Sequence, residues 1–213
     1  MADFLNGTFN AFDSAIINAM HNLAVSAGGF FTPLFKAVTF IGEKGIIFFA
    51  LALILMLFSK TRKLGVCIFG AVACGALITN LILKDIIARP RPFESVQFSE
   101  FWQFLKSPKE DGYSFPSGHV TAITAFATAL FIISDKKWSW VGFVGVIIMG
   151  VARIYLIAHY PTDVIAGILV GLTSGVIAFY ITKLIFHLLN KHSEKKFCNF
   201  LLNACILNLF KKK

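Results

Sequence analysis

Residues 138–189 read WSWVGFVGVIIMGVARIYLIAHYPTDVIAGILVGLTSGVIAFYITKLIFHLL, two apolar runs joined by the turn His159-Tyr160-Pro161-Thr162. Each run, 138–158 and 164–189, reaches the roughly 20 helical residues that cross about 30 Å of hydrocarbon. Pro161 suits the first turn of a new helix. The pair therefore predicts two membrane-spanning helices joined at one face of a bilayer. Working outward, 116–134 and 64–83 are two further spans. The uncharged run 45–58 is short, and extending it back to residue 37 places Glu43 and Lys44 at the headgroup level. The expected fold is all-α, a polytopic membrane helix bundle of about five spans.

Composition agrees. Of 213 residues 57% are hydrophobic, 24 of them Phe, and only 15% are charged, with a mean hydropathy of +0.75. An ordinary soluble domain has about 25% charged residues, and this apolar surface exceeds what one core of this size hides. The balance of 20 Lys and Arg against 11 Asp and Glu gives +9, which suits anionic lipid headgroups or anionic substrates. The basic residues lie between apolar runs and form no single soluble face, so nucleic acid is excluded as a partner. Cys67, Cys74, Cys198 and Cys205 lack metal-site spacing. They read as packing residues, with Cys198 and Cys205 also placed for lipidation.

Residues 9–27 mix Asp13, Asn18, His21 and Asn22 with apolar positions, which suits a helix lying in the interface. No cleavable signal peptide is expected, because the N-terminus lacks a basic region before an uncharged run. Lys60, Arg62 and Lys63, then Lys136 and Lys137, then Lys191, Lys195 and Lys196 mark the cytoplasmic side by the positive-inside tendency. Residues 1–190 form the membrane domain, and 191–213 form a cytoplasmic basic, amphipathic tail. The loop 85–115 and the turn 159–162 then face outward.

Lys84, Arg89 and Arg91 oppose that tendency, and Arg153 lies inside a span, where a charge is costly without a partner or water. Four span ends meet at one level: Lys84 closes one, Pro116-Ser117-Gly118-His119 opens the next, Arg153 and His159 end the third, and Asp163 starts the fourth. Each residue alone has a plain structural reading. Ser117 caps a helix, Asp163 complements a helix N-terminus, and His159 is an interfacial aromatic. Capping does not explain three cations and two histidines together. That set suits phosphoryl transfer, in which donors surround the equatorial oxygens, one base attacks phosphorus and an acid protonates the leaving oxygen. The free N–H groups at the helix start after Ser117 add an anion site.

Lys84-x6-Arg91-Pro92, Pro116-Ser117-Gly118-His119 and Arg153-x5-His159-x3-Asp163 resemble the three signature motifs of the type 2 phosphatidic acid phosphatase superfamily of membrane lipid phosphatases. The resemblance implies that His159 is the nucleophile, forming a phosphohistidine, that Asp163 orients it, and that His119 is the general acid. Lys84, Arg91, Arg153, Ser117 and the Gly118 backbone would bind the phosphate, with no metal and no cofactor. One departure stands out: Ala152 occupies a position that the family usually fills with Ser. Asp85 and Arg89 hold no signature position and read as a local ion pair or headgroup contacts. His21 reads as an interfacial polar residue.

The expected protein is a multi-pass enzyme of the cell membrane, with its site outward, that removes a terminal phosphate from a lipid in the bilayer. Undecaprenyl diphosphate is favoured, with phosphatidylglycerophosphate and phosphatidic acid as alternatives. A transporter or channel would also bury ionisable groups, but the chain shows no internal repeat. A non-catalytic scaffold would not keep both histidines and the carboxylate. Phe93, Phe98, Phe101, Trp102 and Phe104 in the outer loop would form an apolar lid or rest on the membrane surface.

Overall fold

A computed structural model describes residues 1–134 and 136–205. α1 (Ala2–Thr8) and α2 (Asn10–Ile41) open the chain, followed by a 3-10 turn (Glu43–Gly45) and α3 (Ile46–Met56). α4 (Arg62–Leu77) continues through a π-helical stretch (Ile78–Leu83) into one more turn, α5 (Lys84–Ile87). The next loop carries a 3-10 turn (Pro92–Glu94) and α6 (Ser99–Leu105). Then come α7 (Gly118–Ile133), α8 (Lys136–Ser139), α9 (Val141–Tyr155), α10 (Pro161–Lys191) and α11 (Lys196–Asn203). The described residues contain no strand.

Arg62–Glu94, Pro161–Lys191 and Asn10–Ile41 are long and apolar enough to cross a membrane, and α3, α7 and α9 are shorter apolar helices. Exposed side chains such as Leu53 and Ile54 on α3, Ile147 on α9, and Leu169 and Ile181 on α10 are the surface a bilayer would cover. This is the architecture of a multi-pass membrane protein.

α10 is central, packing on α4 and α7, while α7 also packs on α4 and α9. Small residues make the α7–α10 seam. A β-carbon at Gly171 would stand 2.5 Å from the Thr124 β-carbon, and one at Gly167 would stand 2.8 Å from the Ser117 carbonyl oxygen. The two backbones touch because these positions carry no side chain. The seam fixes the two helix starts to each other, and the Ser117 N–H donates to the Asp163 carbonyl at 3.1 Å.

One stretch folds differently from the sequence reading: 37–58, expected as one span. The helix stops at Ile41, turns through Gly42 to Gly45, and restarts as α3. Gly45 has φ +68°, a left-handed conformation that glycine adopts without steric cost, and a side chain at Gly42 would meet Met149 at 2.4 Å. α3 alone, 11 residues, rises only about 16 Å.

The stretch 9–27, expected as an interfacial helix, is helical from Asn10 and forms the first part of the 32-residue α2, which continues past Ala27 to Ile41. Asp13, near its start, binds Thr162 at the start of α10, and Gly42, just past its end, lies against His119 at the start of α7. Both ends thus meet the same end of the bundle, and a break from helical geometry at Ala27 lets the helix bend between them.

At the opposite end Arg62 donates to the carbonyls of Leu201, Leu202 and Ala204 and holds α11 and the residue after it against the start of α4. The rest of the expected tail anchor, 206–213, lies outside the described residues.

Candidate active site

The chain reaches His159 through a tight reversal. Ile157 is left-handed (φ 57°), and the N–H groups of Ala158 and His159 both donate to the Arg153 carbonyl, at 3.2 and 3.3 Å. α10 then starts with Pro161 at its first position, and the Asp163 carboxylate accepts from the Tyr160 N–H at 2.9 Å. On the facing element Ser117 is the N-terminal flank of α7 and Gly118 its first residue, entered through a cis Phe115–Pro116 peptide. Lys84 follows the π-helical stretch, a feature that often marks functional sites.

These elements bring the expected residues together. One cavity of about 900 Å³ is lined by Lys84, Arg91, Gly118, His119 and His159. Arg153 adjoins it, 1% exposed, through its ion pair with Glu110. Several buried polar atoms here have no hydrogen-bond partner: Ser117 Oγ, His119 Nε2, Arg153 Nε and His159 Nδ1. Unsatisfied buried polar groups are expensive, and their gathering at one place is what a polar ligand would relieve.

His159 is 1% exposed. Its Nε2 stands 3.4 Å from an Arg91 guanidinium nitrogen. Arginine can only donate, so Nε2 keeps its lone pair and the ring proton is on Nδ1, which faces Asp163 Oδ2 at 3.6 Å. That separation is an electrostatic contact slightly longer than a hydrogen bond. Burial, with the charges of Arg153 and Arg91 beside it, pushes the His159 pKa well below its ordinary value. The ring is therefore neutral at physiological pH.

The sequence reading missed three partners of this set. Glu110, in the loop before α7, bridges Arg91 at 3.1 Å and Arg153 at a shorter distance. Burial raises its pKa, but Arg153, His159 and Arg91 together outweigh that and hold it at about 2. Its carboxylate occupies the two arginines expected to hold a phosphate. Arg91 also donates to the carbonyls of Asp111 and Gly112, at 3.0 and 2.8 Å, so the same side chain pins the loop.

Arg89 is the second. The expected pairing with Asp85 is not formed, and Asp85 is exposed. Arg89 is instead 1% exposed, 2.7 Å from Asp163 Oδ1 and 2.7 Å from Asp13 Oδ2, and its guanidinium lies 3.8 Å over the Tyr160 ring. Asp13, the third, also accepts from the Thr162 N–H at 3.0 Å. One arginine thereby ties the N-terminal segment to the carboxylate facing His159. A charge inside the mixed apolar segment 9–27 was the available signal for Asp13, and the Arg89-Pro90-Arg91-Pro92 doublet was the one for Arg89. Glu110 sits in a loop with no periodicity and gave none.

The aromatic loop is folded in place. Phe93 and Phe98 are buried, Phe93 lies against Trp102, and His21 of α2 stacks on Phe101 with ring centroids 3.7 Å apart. His21 is thus a packing residue under α6. Phe104 remains exposed.

Fold and site define a class: a multi-pass helical membrane protein with buried cations and paired histidines at one end of its bundle. The sequence profile of the PAP2 superfamily matches residues 64–187, more than half of the chain, and the chain belongs to that superfamily. It is 33% identical over 119 residues to a Sulfolobus acidocaldarius protein named undecaprenyl-diphosphatase, a match spanning 55% of each chain. It is 27% identical over 172 residues to undecaprenyl-diphosphatase BcrC of Bacillus subtilis, covering 80% of this chain and 84% of that one. Among solved structures, a PAP2-type phosphatidylglycerolphosphate phosphatase of Bacillus subtilis superimposes with a TM-score of 0.65 at 21% identity, covering 92% of both chains.

Proposed function

We propose that the chain is a membrane lipid phosphatase working through His159. The observation that carries this reading is the His159 environment: a buried, neutral imidazole with Nε2 beside Arg91 and Nδ1 toward Asp163. Nε2 attacks phosphorus while the bond to the lipid oxygen breaks, and His119 delivers a proton to that oxygen. Water then attacks the phosphohistidine with His119 as base, the N–P bond breaks, and inorganic phosphate leaves. Asp163 stabilises the positive charge that forms on His159.

Lys84, Arg91, Arg153, Ser117 and the Gly118 N–H hold the phosphate oxygens, and the developing charge falls on these fixed donors without a metal ion. Glu110 yields the two arginines when phosphate enters. The site lies at the end of the bundle opposite the Arg62-held tail, consistent with an outward-facing site and a cytoplasmic C-terminus. Undecaprenyl diphosphate is the favoured substrate, supported by the names of two relatives. Phosphatidylglycerophosphate is the second reading, favoured by the superimposed phosphatase.

Phosphate release in detergent with EDTA, from undecaprenyl diphosphate, phosphatidylglycerophosphate and phosphatidic acid, tests this. Wild type should turn over at least one lipid and His159→Ala none. Folded wild type inactive on all three, or a fully active mutant, refutes it.

A further inference from the structure

The cavity extends well past the catalytic groups. At about 900 Å³ it is many times the roughly 30 Å³ that a water molecule occupies in liquid, far more than one phosphate needs. Beyond Lys84 and His119 its lining is mixed. Phe40, Val72, Ala76 and Ala122 are apolar and suit a lipid tail. Lys36 and Thr39 of α2, with Lys106 and Lys109 of the outer loop, are polar or charged.

Two independent observations point to an anion beside Lys36 and Thr39. Thr39 is 7% exposed, lines the cavity, and its hydroxyl has no hydrogen-bond partner. A hydrocarbon tail would leave that hydroxyl unsatisfied, whereas a phosphate oxygen would accept from it. Lys36 forms no ion pair among the described residues. Its ammonium donates to the Lys106 carbonyl at 2.9 Å, which holds the charge at the loop and leaves two of its three N–H donors for a ligand. Glu43, Glu110 and Asp111 also line the cavity, and Glu110 is already paired with Arg91 and Arg153.

We propose that Lys36 and Thr39 form a subsite for a second phosphate carried on the same lipid as the phosphate that His159 attacks. The subsite rests on the lipid-phosphatase reading and adds a substrate class to it: lipids bearing two phosphates, in preference to lipid monophosphates. Two sources share this chemistry. In a lipid diphosphate the second group is the phosphate retained by the product. In phosphatidylglycerophosphate it is the diester phosphate.

The test compares kcat/KM of the full-length protein on undecaprenyl diphosphate, phosphatidylglycerophosphate and phosphatidic acid in mixed micelles. Lys36→Gln should lower the ratio of a two-phosphate lipid to phosphatidic acid about tenfold, chiefly through KM, and Lys36→Arg should restore most of it. Thr39→Val should lower the same ratio severalfold, and Thr39→Ser should not. A fall confined to the diphosphate identifies the retained phosphate as the ligand, and a fall confined to phosphatidylglycerophosphate identifies the diester. Ratios that stay at the wild-type value in both Lys36→Gln and Thr39→Val overturn the subsite while leaving the phosphatase intact. Wild type inactive on every lipid removes the phosphatase reading, and the subsite with it.

Discussion

The α7–α10 seam and the α2–loop side of the site are built on opposite principles. Along the seam, backbones touch at Gly167 and Gly171, and the two helix starts are joined by the Ser117–Asp163 backbone bond. Ser117, Gly118, His119 and Asp163 ride on it. Across the cavity, α2 bends at Ala27, and the 93–115 loop is held by Arg91, by Lys36 and by aromatic packing. Glu110, which occupies the arginines, belongs to that side. Ser117, Gly118, His119 and Asp163 thus stand where backbones touch, whereas Glu110 stands where side chains alone hold the loop.

Arg89 is where the two sides meet, and breaking it should have the largest effect. Arg89→Gln leaves Asp13 and Asp163 as buried carboxylates without their cation, which costs on the order of 3–5 kcal/mol when a buried pair loses one partner. Activity should fall about 10- to 70-fold if half of that reaches the transition state. Measuring kcat beside the unfolding midpoint separates positioning of Asp163 from loss of fold. Activity within twofold of wild type would break the link between the sides.

The seam itself is tested by two glycines. Gly171→Ala places a methyl group 2.5 Å from the Thr124 β-carbon, an overpacking worth about 1–3 kcal/mol, and should lower the thermal midpoint in detergent by several degrees. Gly29→Ala in α2 meets nothing within 4 Å and should hold or raise the midpoint, since alanine favours helix over glycine by about 0.5–1 kcal/mol. Equal midpoints would contradict the distinction.

Protonation sharpens it further. The folded pKa of His159 lies below its ordinary value, so the attacking ring remains neutral as pH falls through 6.5, and the acid limb of kcat/KM should lie below that value. Removing an adjacent cation raises the pKa. Arg91→Gln should therefore move the limb upward by about one unit, read on one substrate so that the substrate's own ionisation cancels. An unmoved limb would take His159 out of the nucleophile role.

The smallest effect is on the adjustable side. Glu110→Gln removes a competing carboxylate, so inorganic phosphate and vanadate should inhibit a few times more tightly. The charges beside Glu110, Arg153 foremost, hold its carboxyl at about 2, below the ordinary 4.5. Its ion pairs thus stabilise the fold above pH 4.5, and that contribution is lost as pH falls from 4.5 to about 2. The mutant should lack this component of acid unfolding. Weaker inhibition would mean that Glu110 supports the phosphate site and does not compete for it.

Much of this was legible in the sequence because it depends on local pattern. Apolar runs and Pro161 gave the helices from 64 onward, and Lys84, Arg91, Gly118, His119 and His159 line one cavity because each lies at or near a helix end. What escaped depends on long-range partners. The Arg89–Asp13 pair joins residues 76 positions apart, and Glu110 reaches Arg153 across 43. The break at 42–45 was missed because hydropathy averages over a two-glycine turn whose left-handed Gly45 leaves no mark in the apolar pattern.

The central claim is that His159 forms the bond to phosphorus. Turnover of a lipid carrying labelled terminal phosphate, quenched in alkali and followed by peptide mass spectrometry, tests it directly, because phosphohistidine survives base. The account predicts label on His159 in wild type, more of it in His119→Ala if breakdown slows most, and none in His159→Ala. Label on another residue, or steady turnover by His159→Ala, would contradict it.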